Sequence, residues 1–238
     1  MLVINWMSTR LVSVDPEESM SQAIRLIKEN HIGRLPVIDK SGKLVGIVSD
    51  KDLKRAGASD ATALEVHELA YLLSRVKVKD IMTPRPKTVH MYDTIEEAAL
   101  VMLANKISGV PVVDDSGAVL AMLTQSDIFR ALIALTGVTR GGVQFALDLP
   151  DEAGSIKTAA DVVRKYGGRM VSILSSYDRV AEGRRRVYFR MKNIDRSKLM
   201  QIKDELSQVG VLLYIIDTRE HTKELLALGR LTGQDIKV

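Results

Sequence analysis

The chain of 238 residues contains no cysteine, six prolines and one tryptophan, and aromatic residues make up only 4% of it. The lack of cysteine excludes disulfides and thiolate chemistry. No apolar run reaches the roughly 18 residues that a membrane helix needs, and the start, MLVINWMSTR, lacks the pattern of a signal peptide. These absences predict a cytoplasmic protein that does not associate with a membrane. The histidines are scattered without metal-site spacing, so no metal is expected: His31, His67, His90 and His221.

The remaining composition is that of an ordinary globular chain, with 46% hydrophobic and 27% charged residues. This length suggests one or two domains. A net charge of +4 is too small to favour nucleic acid, although it would not repel a phosphorylated ligand. The densest basic run, GRRRVYFR, fits a solvated hairpin better than a nucleic-acid surface. Because no P-loop, dinucleotide fingerprint or convergent catalytic set is present, no catalytic residue and no catalytic cofactor are predicted.

An internal repeat organises the first half of the chain. When the sequence is shifted by 75 positions, it aligns with itself without a gap from Met7 to Phe129. Each copy reads β-α-β-β-α, and RLVSV and KTVHM are the predicted first strands. Between the copies, residues 55–79 hold a predicted helical stretch with Leu64, Leu69, Leu72 and Leu73.

Both copies carry a hydroxyl and a carboxylate three residues apart, where an apolar strand ends. The first copy has Ser49 and Asp52 in GIVSDKD, and the second has Thr124 and Asp127 in AMLTQSD. Such a pair caps a helix start. An ionised carboxylate also accepts hydrogen bonds from a diol, and a helix N-terminus suits a phosphate, so capping and ligand binding are compatible.

Each copy resembles a CBS motif, and the tandem over residues 1–137 resembles a Bateman module. The segments that carry the resemblance are HIGRLPVID...GIVSDKD and KISGVPVVD...AMLTQSD. We expect the motifs at about residues 7–58 and 82–137. The resemblance implies that the copies pack by their sheets and leave two clefts. Adenine nucleotides (AMP, ADP or ATP) or S-adenosylmethionine would bind there as regulatory ligands.

The resemblance implies two adenosyl sites. The first would consist of Ile32, Gly33, Arg34, Leu35, Pro36, Ser49, Lys51 and Asp52. The second would consist of Thr88, Ile107, Ser108, Gly109, Val110, Pro111, Thr124 and Asp127. For most of the apolar members, a place in the core is the alternative to ligand contact.

The two predicted sites differ in charge. Arg34, at a phosphate-binding position of the family, has Gly109 as its counterpart in the second copy. Lys51 has Ser126 as its counterpart, and Ala121 replaces the glycine found at position 46. We therefore predict that the first site prefers phosphorylated adenosine and that the second is weaker or takes a less charged ligand.

The second half of the chain has the order β-α-β-β-α-β, which is ferredoxin-like. With DLPDEAGSI at its first strand-to-helix turn, it resembles an ACT domain over residues 140–219. That family often binds an amino acid at this turn, so Asp151 and Gly154 are candidate site residues; the alternative is a plain helix start. Residues 220–238 form a tail with at most a short helix. The architecture as a whole resembles the acetoin-utilisation CBS–ACT proteins.

The leading interpretation is a non-catalytic sensor in which an adenosyl ligand bound to the CBS motifs acts on the ACT domain. Because modules of the resembled family self-associate, we also expect a homodimer. The alternative is an enzyme-associated or DNA-associated regulator whose C-terminal half contacts a partner macromolecule. The lack of a helix-turn-helix pattern weighs against a DNA reader.

Overall fold

The computed structural model of the chain describes residues 1–8, 10–60 and 74–227, without the side chains of residues 57–60. The predicted helical stretch with Leu64, Leu69, Leu72 and Leu73 therefore lies largely outside the described residues. The fold is mixed α+β, and the chain divides into an N-terminal unit, Met1–Ala131, and a C-terminal unit, Leu132–Val238. No helix among the described residues has both the length and the apolar character that crossing a membrane requires.

The two repeats of the N-terminal unit have matching elements. Their bounds, in chain order, are α1 (Met20–Glu29), β1 (Arg34–Ile38), β2 (Leu44–Ser49), α2 (Asp50–Asp60), α3 (Val78–Ile81), β3 (Thr83–Pro84), β4 (Val89–His90), α4 (Ile95–Ala104), β5 (Gly109–Val113), β6 (Val119–Thr124) and α5 (Gln125–Thr136). The helices α1 and α4, and the strand pairs β1–β2 and β5–β6, start and end at positions 75 residues apart. The repeat seen in the sequence is thus a repeat of structure.

Equivalent side chains begin the helices and turns of both repeats. The Ser19 hydroxyl accepts a hydrogen bond from the Gln22 N–H at the start of α1. At the start of α4, the Thr94 hydroxyl accepts from the Glu97 N–H, and the Glu97 carboxylate accepts from the Thr94 N–H. The second repeat thus forms the full capping box that both sequences predict, whereas the first repeat forms only the bond to Ser19. The bonds from Thr94 hold the pKa of Glu97 below its usual value.

The first predicted strand is shorter than expected in both copies. RLVSV forms only a single bridge, Val14 to Val37, and KTVHM contributes the two residues of β4. The second repeat has a two-residue strand where the first has a single bridge. The reason is that Met91 donates its N–H to the Val113 carbonyl, whereas its counterpart Pro16 has no N–H to donate. The prediction of a full strand over RLVSV was therefore wrong.

The segment that leads into each repeat packs on the other repeat. Val3 is fully buried in the core of the second repeat, and Val78 is fully buried in the core of the first. The Val3 N–H donates to the Asp93 carbonyl, and the Val78 N–H donates to the Glu18 carbonyl. This exchange of leading segments joins the two repeats. The N-terminal unit has two three-stranded sheets, with the strand orders β1-β2-β3 and β4-β5-β6.

The C-terminal unit is one sheet with two helices. Its elements are β7 (Val143–Pro150), α6 (Ser155–Lys165), β8 (Arg169–Ser176), β9 (Arg184–Lys192), α7 (Leu199–Val209), β10 (Val211–Asp217) and β11 (Thr222–Leu225). The strand order is β11-β10-β7-β9-β8, and every pair is antiparallel. Alternate residues of β7 and β9, including the fully buried Phe145 and Phe189, form a core with Ile202 and Leu206 of α7.

The tail differs from its prediction where it is described. Residues Thr222–Leu225 form β11, which pairs with β10, and are not helical. The turn between the two strands is held by Asp217, whose carboxylate accepts hydrogen bonds from the N–H groups of Arg219 and Glu220. Residues 228–238 lie outside the described part of the chain.

Candidate functional site

The carboxylates that the sequence singled out lie at the first turns of α2 and α5. Asp127 accepts hydrogen bonds from the Thr124 N–H and hydroxyl, both 2.7 Å long, through one oxygen. Asp52 accepts from the Ser49 N–H at 2.9 Å and from its hydroxyl at 2.6 Å. The capping interpretation is therefore correct for both residues, and it occupies one of the two carboxylate oxygens.

The second oxygen of each carboxylate contacts an arginine one turn along the helix. Arg130 contacts Asp127, and Arg55 contacts Asp52 at 3.1 Å. Both arginine side chains are mostly exposed, at 63% and 79%, whereas the Asp127 side chain is 9% exposed. A ligand hydroxyl can therefore reach this oxygen by sharing it with the solvent-exposed arginine or by displacing that arginine.

A cavity of about 510 Å³ opens beside Asp127 in the N-terminal unit. This size falls within the range of roughly 300–1,000 Å³ that is common for small-molecule sites. Residues from both repeats and from the segment before the first repeat line it: Ser8, Arg10, Val12, His31, Ile32, Gly33, Arg34, Ser108, Met122, Thr124, Gln125, Ser126 and Asp127.

The cavity combines members of the two predicted sites. Ile32, Gly33 and Arg34, assigned to the first site, face Ser108, Thr124 and Asp127, assigned to the second. The grouping expected from the sequence is thus different from the arrangement in the structure. The reason is that the start of one repeat's β1 strand lies against the start of the other repeat's β5 strand.

The other predicted residues lie elsewhere. Ser49, Lys51 and Asp52 are at the start of α2 and do not line this cavity. Thr88 is exposed just before β4, and Gly109 lies under the Arg34 side chain. The remaining members are buried or packed in strand cores, which was the stated alternative for them: Leu35, Pro36, Ile107, Val110 and Pro111.

Arg34 reaches across from the first repeat to the second. Its Nη2 donates to the Ser108 hydroxyl over 2.5 Å. Burial lowers the pKa of this guanidinium, although an arginine remains charged at neutral pH. Within the part of the chain that the structure describes, neither Arg34 nor Arg10 forms an ion pair with a carboxylate. The cavity therefore presents two cations that are not ion-paired, in addition to the carboxylate of Asp127.

Seven lining residues were not among the predicted site residues: Ser8, Arg10, Val12, His31, Met122, Gln125 and Ser126. Gln125 could have been found, because it is the first residue of the helix that Thr124 and Asp127 start, and its N–H donates to the Ser108 carbonyl. Arg10 carries no signal of its own, because its place depends on the exchange of leading segments between the repeats.

The candidate turn in the C-terminal unit is already internally paired. The Asp151 carboxylate accepts from the Tyr177 hydroxyl at 3.2 Å and lies 3.3 Å from the Arg185 Nε. Gly154 precedes α6 with a φ of +88°, a conformation that favours glycine. Arg184 in the same basic run pairs with Asp148. Among the described residues, no group of three or more acidic or histidine side chains could hold a metal ion.

Comparison with known proteins places the repeat in a family. The family model described as CBS domain matches residues 3–59 and 78–134, again 75 positions apart. A CBS domain-containing protein of Dictyostelium discoideum is 33% identical over 132 residues, which are 56% of this chain and 91% of that protein.

Two further likenesses involve an enzyme and a nucleotide complex. The inosine-5'-monophosphate dehydrogenase of Korarchaeum cryptofilum is 40% identical over 119 residues, half of this chain but only 22% of the enzyme. The crystal structure of CBSX2 in complex with AMP shares 36% identity, with a TM-score of 0.46, and covers 56% of this chain and 96% of that one. The repeated sequence, its repeated structure and the match over most of the Dictyostelium protein together show that the chain belongs to the CBS-domain family and carries a tandem CBS pair.

Proposed function

We propose that this protein is a non-catalytic sensor that binds an adenosine-type ligand in the cavity beside Asp127. The observation that carries the proposal is the set of three charged groups in one cavity: Arg10 and Arg34, which lack a carboxylate partner among the described residues, and the nearly buried Asp127. The carboxylate suits a vicinal diol, and the guanidinium groups suit a phosphate.

The rest of the cavity fits such a ligand. The positive dipole end of α5 lies at Gln125 and Ser126, where it adds to the attraction for an anion. Val12, Ile32 and Met122 supply apolar surface for a base. Because Arg34 lies here, we assign the preference for phosphorylated adenosine to this cavity, with AMP, ADP and ATP ahead of S-adenosylmethionine.

We further propose that α5 carries the signal out of the cavity. This helix starts at the lining residues Gln125 and Ser126, and it ends at Thr136, beyond the division after Ala131. The Thr136 carbonyl accepts from the Ser172 hydroxyl at 2.8 Å and from Arg190 Nε at 3.0 Å. Arg190 is 5% exposed and is a cation at a helix C-terminus, so it fixes this end of the helix.

The C-terminal unit is proposed to be a ferredoxin-like ACT domain. Its β-α-β-β-α-β order, followed by β11, and the strand order of its sheet support this assignment. An amino-acid site at Asp151 and Gly154 stays a prediction, and a ligand there would compete with Arg185 and Tyr177 for the carboxylate. The proposal also includes a cytoplasmic location, where free adenine nucleotides would be its signal.

The sensor proposal predicts that AMP raises the melting temperature of the full chain in a concentration-dependent way, because a ligand that binds only the folded state stabilises it. Adenosine, ADP, ATP, S-adenosylmethionine and a panel of amino acids are measured in the same screen, with inosine and inorganic phosphate as controls. Stabilisation by AMP that exceeds the effects of adenosine and phosphate alone supports the proposal. No shift with any adenosyl compound at millimolar concentration would overturn it.

We propose that a second copy of the chain covers the outer face of the second repeat. Leu100, Leu103 and Phe129 are 65%, 70% and 60% exposed there. Their counterparts 75 positions earlier are Arg25, Lys28 and Lys54, so the corresponding positions of the first repeat are charged, and Arg25 and Lys54 pair with Glu29 and Asp50. An apolar face complements itself across a two-fold axis, whereas charged side chains lose hydration when a copy covers them.

The dimer is tested by giving the second repeat the residues of the first. The double change Leu100→Arg and Leu103→Lys is expected to weaken dimerisation more than about tenfold, because two large apolar side chains would be replaced by charges in a buried interface. Sedimentation velocity measures the mass, and Arg25→Ala with Lys28→Ala is the matched control. A monomeric wild-type protein at 100 µM, or a dimeric double variant, would contradict this proposal.

A further inference from the structure

Positions 34 and 109 are counterparts in the repeat, and they lie against each other. A side-chain carbon built on Gly109 would meet the Arg34 guanidinium, with the Cζ atom 3.0 Å away and Nη1 closer still. The same guanidinium donates to the hydroxyl of the neighbouring Ser108. The Arg34 side chain therefore rests on bare backbone at Gly109.

Only one of the two counterpart positions, 34 and 109, can carry an arginine. Because each position faces its own counterpart, an arginine can extend across from one side only when the opposite position is small. Two arginines would occupy the same space with like charges. The contact therefore has two possible arrangements, with the arginine at position 34 or at position 109. This chain has Arg34 opposite Gly109, which places the guanidinium on the Asp127 side.

We propose that Gly109 is the residue that determines ligand specificity at this site, because the absence of its side chain seats Arg34 in the cavity beside Asp127. Gly109 acts through Arg34 and is a positioning residue. The inference rests on the proposed function, since it explains why that cavity would prefer a ligand with a phosphate.

A methyl group at position 109 is expected to move the flexible end of Arg34 with little other disturbance. Its next neighbour, the Leu123 carbonyl oxygen, is at 3.0 Å, so this carbonyl must also shift by a few tenths of an ångström. Gly109→Ala should therefore weaken AMP binding about tenfold, the loss of part of a charge-assisted contact, and leave adenosine binding within about twofold.

A double-mutant cycle separates this role from a general loss of folding. If Gly109 acts only through Arg34, then Gly109→Ala should change the ratio of AMP to adenosine affinity in the wild-type background and leave it unchanged in the Arg34→Ala background. Calorimetric titration gives both affinities. An unchanged ratio in the wild-type background, or an equal change in both backgrounds, would overturn the inference.

The exchange variant Arg34→Gly with Gly109→Arg keeps the test informative if Gly109→Ala folds poorly. It restores one arginine and one glycine at the contact with the direction reversed. AMP binding by the exchange variant should become insensitive to Asp127→Ala, because the guanidinium would then extend from the second repeat toward the first. Continued dependence on Asp127 would contradict the inference. If the wild-type protein binds neither adenosine nor AMP, the proposed function itself is wrong. If the wild-type protein prefers AMP and both variants keep that preference, only the role of Gly109 is wrong.

Discussion

Replacing Asp127 by alanine is expected to weaken AMP binding about 100-fold, because two charge-assisted hydrogen bonds to the ribose diol are worth roughly 3 kcal/mol together. The same replacement at Asp52 should change the affinity at this cavity by less than about threefold. Asp127 lines the cavity that holds Arg34, and Asp52 does not.

The two aspartates form a matched pair, which makes the comparison sharp. Each accepts from the N–H and the hydroxyl of the residue three positions earlier, and each contacts an arginine three positions later. Each alanine variant therefore loses the same helix-start bonds, at a cost to stability of about 1 kcal/mol. A difference in AMP affinity that exceeds the difference in stability reports on ligand contact.

Isothermal titration with AMP and adenosine measures the effect, and thermal melting of the unliganded variants checks that their losses in stability are similar. Equal losses of affinity in both variants would show that the cavity beside Asp127 is not the preferred site. Full affinity in the Asp127→Ala variant would remove the carboxylate from the binding mechanism.

Much of the N-terminal unit could be predicted because the same helix-capping and turn residues occur in both repeats. Ser19 and Thr94 begin α1 and α4, and the Asp39 and Asp114 carboxylates both accept from the N–H group two residues later in their turns. Local signals of this kind act over a few residues, and one copy confirms the other. The repeat of β-α-β-β-α units could thus be predicted from the residues, and the resemblance to a known family then identified it as a tandem CBS pair.

The composition of the site could be predicted only in part, since it depends on contacts between the repeats. The sequence places Arg34 fifteen residues before Ser49, and β1 does pair Arg34 with Ser49 along the backbone. The long side chain nevertheless extends away from that strand pair, across to Ser108. Pairing of backbones within a repeat could be predicted, but the direction of a flexible side chain at the junction could not.

The tail illustrates a different failure. Residues TKEL have a helix-compatible composition, yet they pair with β10 as an edge strand. Pairing beside an existing strand, with the turn anchored at Asp217, outweighs the weak helix propensity of four residues. Tertiary context decides such short segments.

The carboxylate that anchors this turn underlies the second large effect. Asp217→Asn is expected to lower the free energy of unfolding by about 2–3 kcal/mol, because it removes the charge from a buried pair. The Asp217 side chain is 2% exposed and accepts from Arg196 Nε at 2.7 Å and from Nη2 at 3.0 Å. As a control, the exposed Asp178, whose nearest cation is Arg179 at 3.8 Å, should tolerate Asp178→Asn with a loss below about 0.5 kcal/mol.

The pH dependence of this effect distinguishes charge from packing. The hydrogen bonds from Arg196, followed by those from Arg219 and Glu220, hold the pKa of Asp217 below its usual value, so the folded state binds fewer protons than the unfolded one. The stabilisation is therefore complete above the unfolded pKa of about 3.9 and is lost as the pH falls through the lower folded value. Urea unfolding at pH 7, 5 and 3 should show the same gap between wild type and Asp217→Asn at the first two values and a smaller gap at the third. A gap that stays constant down to pH 3 would mean that the loss comes from altered packing, because a protonated carboxyl group and an amide differ little in charge.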